Sequence, residues 1–326
     1  MKRPGFPSIL LSLLLLAVLL LNGGEARARL RLPAPLHAVM YQPHVTDLEN
    51  DPAWWQQTLE RLQRLKVQEL YIQWSRHGDV DFTRQIDPLP EPLVQLLLRQ
   101  AEALGLKLHI GLYADPDFFS RSKQSLPALA VYLNRLRILS LEQAEKIAVL
   151  AKGSPALAGF YLYEEIDDVN WRAREKQDLL AQHLQKSYDE LHSRFPELQI
   201  AVSSFFTARM TPEGYAKMWQ RLTRENSLVV FVQDGAGTGL LDSDERMLYF
   251  RALDRNLVAN QWSIIVELFR QDRSSKGFSA SRGGTADLNR RMNQIKKLHI
   301  RPPVAFSLRY LISFPPPDRG EGKENP

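Results

Sequence analysis

Cysteine is absent from all 326 residues. That excludes disulfides, thiolate-bound zinc, a cysteine nucleophile and lipoprotein processing of the N-terminus. No G-x-G-x-x-G or G-x-x-x-x-G-K follows the first apolar strand, so the phosphate-cradling loops of nucleotide folds are missing. Neither H-E-x-x-H nor H-x-H occurs, which removes the usual zinc-hydrolase patterns. G-x-S-x-G, the nucleophile elbow, is missing too, and Ser203 and Ser204 have no evident His/Asp set. The sequence thus predicts neither a metal nor a cofactor.

Excess charge is equally scarce. The formal net charge is +5, and it falls to +3 once residues 1–28, with three basic residues against one acidic, are set aside. Arg61, Arg64 and Lys66 belong to presumed solvated helix faces. No basic stripe is interleaved with aromatics, so a nucleic-acid partner is not expected.

A long apolar run occurs once, from Ile9 to Leu21. Lys2 and Arg3 precede it, Asn22-Gly23-Gly24 break it, and Ala26-Arg27-Ala28 supplies an A-x-A site. This is the pattern of a secretory signal peptide. The run is short for a membrane span, although an uncleaved N-terminal anchor is the alternative reading. The expectation is a signal peptide over 1–28, a mature chain from about Arg29, and a periplasmic or secreted protein.

What the chain does have is alternation. Short apolar runs read as strands: Leu36–Pro43, Glu69–Trp74, Lys107–Ala114, Gly159–Glu165, Gln199–Phe206, Leu228–Gly235, Gln261–Phe269 and Pro303–Leu311. Amphipathic helices fall between them. Asp51-Pro52, Thr211-Pro212 and Asp242-x-x-Glu245 mark helix starts, Gly105 marks a stop, and a capping-box pattern at Ser140-x-x-Gln143 predicts a start there. The connection from Asp115 to Leu139 then reads as a long loop with small elements of its own. Near-continuous apolar strands suit a parallel sheet covered on both faces. Eight βα units predict an α/β fold, a single-domain (β/α)8 TIM barrel over 36–311, with a doubly wound open sheet as the competitor. The tail over 315–326 reads as disordered.

In such a barrel the active site lies at the C-terminal ends of the strands. Those ends carry Gln42 and His44, Gln73 and Trp74, Tyr113, Glu164 and Glu165, Ser204, Gln233 and Asp234, Glu267, and Arg309 with Tyr310. Nearly all can hydrogen-bond a hydroxyl or stack on a sugar ring. GFYLYEEIDDVNW, residues 159–171, runs from a buried strand into Glu164, Glu165, Asp167 and Asp168. Crowded carboxylates raise one another's pKa and mark a candidate site. Glu267, inside IIVELF, is a second acid among apolar neighbours. It needs a partner or a task, and Arg309 would be that partner in a purely structural reading. Two carboxyl groups facing across a barrel mouth suit glycoside hydrolysis. Strand alternation places Glu165 with Tyr161 and Tyr163 as general acid/base, Glu267 as nucleophile, and Glu164 as a ligand of substrate or of Arg309. A bulge would exchange the two neighbouring glutamates. Asp167 and Asp168 read more as loop or helix-cap residues, and His109 as a core histidine. Trp74, Tyr113, Phe118, Phe119, Trp171 and Phe205 could form sugar platforms or core.

GFYLYEEIDDVNW, followed by AVSSFF and VVFVQDGAG, resembles the bacterial family known as domain of unknown function 4434, from about Met40 to Tyr310. The resemblance implies a TIM barrel of the glycoside hydrolase type. The pairing of strands four and seven is also similar to clan A of the retaining glycoside hydrolases, where an Asn-Glu dipeptide ends strand four; here Glu164 stands in place of the Asn. The functional expectation is an exported glycoside hydrolase acting on a bacterial polysaccharide or glucan. The alternative is a non-catalytic polysaccharide-binding barrel of an exopolysaccharide biosynthesis or export system.

Overall fold

The computed structural model describes residues 36–272 and 279–312. The expected signal peptide and C-terminal tail lie outside the described residues. Eight parallel strands close into a barrel in sequence order. They are β1 (Ala38–Tyr41), β2 (Glu69–Ile72), β3 (Lys107–Gly111), β4 (Leu157–Asp167), β5 (Gln199–Phe205), β6 (Val229–Gln233), β7 (Trp262–Glu267) and β8 (Val304–Phe306). Closure is direct: Ala38 of β1 pairs with Val304 of β8 on one side and Glu69 of β2 on the other.

Strand side chains alternate between two faces. One set fills the lumen: Ala38, Met40, Tyr71, Tyr161, Ala201, Val229, Phe231, Ile265 and Val304. The other set, with Val39, Leu70, Ile72, Phe160, Leu162, Val202, Val230 and Ile264, packs under the helices. Both faces are dry, which is why the strands read as unbroken apolar runs. At the lower end Glu69 meets His109 (3.3 Å) and His37 (3.2 Å), and His109 stacks on Tyr71 at 4.1 Å. Burial alone would raise the Glu69 carboxyl, but the hydrogen bonds from the two histidines outweigh it and hold it down at about 2. His109 is therefore a core histidine, as expected.

The helices are α1 (Pro52–Arg64), α2 (Leu93–Leu104), α3 (Phe118–Arg121), α4 (Leu126–Ala151), α5 (Arg174–Arg194), α6 (Pro212–Leu222), α7 (Ser243–Asn256) and α8 (Thr285–Ile295). Asp51 accepts from Trp54 N at 2.7 Å, Thr211 accepts from Gly214 N at 3.1 Å, and Asp242 forms its capping box with Glu245. Such caps are worth about 1 kcal/mol each.

Three expectations need correction. The helix expected to start at Ser140 starts at Leu126, with Ser125 at the position before it and Pro127 in its first turn. Leu129, Tyr132, Leu133, Leu136, Ser140, Gln143, Ala144 and Ile147 form one buried face, so helical periodicity overrides the internal capping pattern. The eighth strand is three residues long, and Arg309 and Tyr310 belong to a 3₁₀ turn, Leu308–Tyr310, rather than to a strand end. The seventh strand stops at Glu267, and Phe269–Gln271 pairs instead with Ala280–Arg282 in an antiparallel ribbon.

Candidate functional site

The top layer of the lumen follows from strand alternation. Gln42 is in phase with Met40, Gln73 with Tyr71, Ser203 with Ala201, Gln233 with Phe231, Glu267 with Ile265, and Phe306 with Val304. In β4 the register against β5 slips between Leu162, paired with Val202, and Glu165, paired with Ser203. Two residues of β4 are thus extra. An insertion of two keeps the alternation in step, so Glu165 returns to the lumen face with Tyr161. The bulged pair goes elsewhere. Tyr163 joins Trp74 (5.9 Å) and Phe118 (6.3 Å) in edge-to-face contacts. Glu164, 1% exposed, reaches the helix layer, where its Oε1 lies 2.6 Å from His183 Nε2 on α5.

Glu165 is 7% exposed and sits among amides from across the barrel. Gln73, just past β2, donates from Nε2 to its Oε1 at 3.0 Å. Gln233, from the end of β6, flanks it as well. Burial, with the Asp167 charge adding, pushes the Glu165 carboxyl up to about 7, against the pull of the two glutamine amides. Glu267 is 3% exposed. Its Oε2 accepts the backbone N–H of Gly237 at 2.6 Å. Burial first, then the Asp234 charge, raise it to about 8, while the Gly237 hydrogen bond and the charges of Arg291 and Arg246 oppose the rise. Gly237 is required at this place because a Cβ would run into the Phe269 ring. That ring stacks on Tyr310 at 5.7 Å and meets Phe306 edge-on at 6.2 Å, forming an aromatic wall near Glu267. Burial, with Glu267 nearby, pushes the Tyr310 hydroxyl up to about 12.

Several expected ligands turn away from the mouth, and three do so for one reason: they are one residue out of phase with the lumen. Asp234 points to the helices and pairs with Arg291 of α8, which also donates to the Glu267 carbonyl at 2.9 Å. Ser204 donates to the Ile166 carbonyl at 2.6 Å and meets Tyr215 and Trp219 of α6. Glu164 pairs with His183 and not with Arg309. Arg309 partners neither Glu164 nor Glu267; it binds Asp47, which also accepts from Tyr41 at 2.8 Å. Trp74, 4% exposed, lies in a chain of ring contacts that continues through Tyr163 and Phe118 to Phe119, Phe205 and Trp171. These rings pack on one another. Tyr113 lies under the Arg76 guanidinium at 5.1 Å.

Gln42, His44, Gln73, Gln233 and Tyr310 remain at or near the mouth. Burial, then the Arg309 and His77 charges, lower the His44 ring to about 4, so it is neutral at pH 7. Its Nε2 is buried without a hydrogen-bond partner. Asp167 binds the backbone N–H groups of Val169 (2.7 Å) and Asn170 (2.6 Å). Asp168 holds the loop after β5 through Thr207 N (2.9 Å), Arg209 N (2.7 Å) and Met210 N (3.1 Å). Both aspartates are loop scaffolding, although neither caps α5. The Gly237 N–H, the Phe269 and Phe306 rings, Asp47, His183 and Arg291 were not anticipated. Of these only Phe306 had a signal in sequence, its alternation with Val304. Among the described residues no three His, Asp or Glu side chains converge to hold a metal ion.

The profile of the family described as domain of unknown function DUF4434 matches residues 38–306. The chain belongs to this family. Among relatives of this DUF4434 chain is the uncharacterized protein YbcH of Escherichia coli strain K12. It is 33% identical over 281 residues, covering 85% of this chain and 90% of that protein. Solved structures share the fold at far lower identity. A candidate alpha-L-fucosidase from Bacteroides thetaiotaomicron superposes with a TM-score of 0.63 at 14% identity, over 88% of this chain and 91% of that one. The intracellular xylanase TsXylA of Thermoanaerobacterium saccharolyticum gives 0.51 at 13%, over 87% and 90%. A class V chitinase of Nicotiana tobaccum, in complex with NAG4, gives 0.50 at 8%, over 84% and 94%. At these identities the likeness is one of fold.

Proposed function

We propose that this DUF4434 barrel is an exported glycoside hydrolase that cleaves a bacterial polysaccharide or glucan with Glu165 and Glu267. The observation that carries the reading is the pair of buried carboxyl groups, Glu165 on β4 and Glu267 on β7 of one closed barrel, each in phase with the lumen residues of its strand. Glu165, in acid form, donates its proton to the glycosidic oxygen as the bond from that oxygen to the anomeric carbon breaks. Glu267, as carboxylate, forms the new bond to the anomeric carbon. Water then attacks that carbon, its proton passes to the Glu165 carboxylate, and Glu267 is released. Glu267 attacks in its ionised form; its pKa of about 8 already includes the Gly237 N–H, so this form is favoured as pH rises and as positive charge develops at the anomeric carbon. Gln42, Gln233 and neutral His44 are placed to hydrogen-bond sugar hydroxyls, with Tyr310 and Phe306 as apolar contacts.

The test is cleavage of a panel of p-nitrophenyl glycosides and bacterial glucans by the full mature chain. Glu165→Gln is expected to lower kcat by about 10²- to 10⁴-fold, the usual cost of losing a general acid. Glu267→Gln is expected to abolish turnover while leaving binding intact. Equal rates for wild type and both variants would sink the proposal. Binding without cleavage by the wild type would make the barrel a polysaccharide-binding component instead.

A further inference from the structure

Gln73 was expected to bind substrate, but its surroundings give it a different task. Its backbone N–H donates to the Tyr41 carbonyl at 2.8 Å. Its own backbone carbonyl lies against Gly111 of β3, where any Cβ would collide with it. The residue is 3% exposed, so its side chain leaves from a fixed point in a packed wall. The amide Nε2 donates to Glu165 Oε1 at 3.0 Å, and the amide oxygen has no protein partner. Glu165 is thus the group that orients this amide. The reverse orientation would set two oxygens face to face whenever Glu165 is ionised.

An amide N–H only donates, so in this orientation Glu165 Oε1 offers it a lone pair. In a carboxylic acid the carbonyl oxygen accepts far better than the hydroxyl oxygen does. We infer that Gln73 is a positioning residue for Glu165: its N–H holds Oε1 to the β2 side of the barrel while Gln233 approaches the same carboxyl group from β6, so that the carboxyl group is fixed in one orientation. The catalytic meaning of this contact rests on the reading of Glu165 as the acid; the contact itself does not.

The experiment uses the full mature chain labelled with [δ-¹³C]glutamate and [¹⁵N]glutamine, with Glu165→Gln and Gln73→Met to assign the two signals. In the wild type the Gln73 side-chain amide protons are expected to move downfield with the same midpoint as the Glu165 carboxyl, because the bond strengthens on ionisation. Gln73→Met, which keeps the length and removes the donor, is expected to raise the Glu165 midpoint by at least half a pH unit. A Gln73 amide that ignores the Glu165 titration, or a midpoint that stays put or falls in Gln73→Met, overturns the inference. Should Gln73→Met not fold, the wild-type titration decides alone. Where the wild type cleaves a p-nitrophenyl glycoside, Gln73→Met is expected to lower kcat about tenfold and leave KM within twofold. A raised KM at unchanged kcat would make Gln73 a substrate ligand instead. Coupled titration with no cleavage of any glycan removes the hydrolase reading and leaves the contact of Gln73 with Glu165 intact. Cleavage without coupled titration does the reverse.

Discussion

Glu165 and Glu267 bind protons more tightly in the fold than in the unfolded chain, where a glutamate sits near 4.5. A group raised in this way adds stability that is fully present below the unfolded value and is lost as pH rises through the folded value. Here the window runs from about 4.5 to about 7 for Glu165 and to about 8 for Glu267. For Glu165 that amounts to roughly 3 kcal/mol between pH 4 and pH 9. Urea unfolding should therefore show the wild type losing stability across this range. Glu165→Gln, neutral at every pH, should lose about 3 kcal/mol less. Identical slopes for the two proteins would mean that Glu165 is not held as the buried acid described above. The same burial explains why function and stability conflict at these positions. A carboxyl group kept dry enough to hold its proton near pH 7 is one the fold would hold more cheaply as an amide.

At the level of elements, the bulge in β4 and the loop after β6 do most to shape the site. Were Tyr163 and Glu164 paired in regular register instead of bulged, Glu165 would lie two residues further along the strand and away from Gln73. The loop after β6 brings the Gly237 N–H beneath Glu267 while Phe269 lies flat against the glycine. Gly237→Ala should force that ring aside, at about 1–3 kcal/mol for an overpacked contact. Combining it with Phe269→Leu, which vacates the space, should recover part of the loss. A double-mutant cycle in urea reads this directly, and strictly additive effects would show that the two positions do not press on each other. The elements also show where sequence patterns compete. Ser140-x-x-Gln143 satisfies a start signal, but it lies in the middle of a buried helical face, and the packing of α4 determines the outcome.

For the molecule as a whole, the expected export of the chain is tested by its N-terminus. Expressed from the full reading frame in a Gram-negative host, the protein should be recovered from the periplasm with an N-terminus near Arg29. A chain that starts at Met1 in the membrane fraction would favour the uncleaved anchor. The order of eight strands, the helix caps at Asp51, Thr211 and Asp242, and the burial of Glu165 and Glu267 were all legible in the sequence. Each depends on a local pattern: apolar runs, capping residues, and acids stranded in apolar surroundings. Strand phase was legible as well, and strict use of it would have sent Asp234 and Ser204 to the helices. The same phase, with Phe160 and Leu162, would have sent Glu164 there too; only the bulge itself left no mark, because it is a property of two paired strands. The partners were beyond reach for the same reason. His183 lies 19 residues from Glu164, Arg291 lies 57 from Asp234, and Arg309 lies 262 from Asp47. Local sequence determined the order of the elements, the helix caps at Asp51, Thr211 and Asp242, and the dryness of Glu165 and Glu267. Only closure of the barrel decided what each of them touches, because those contacts join strands and helices that are distant along the chain.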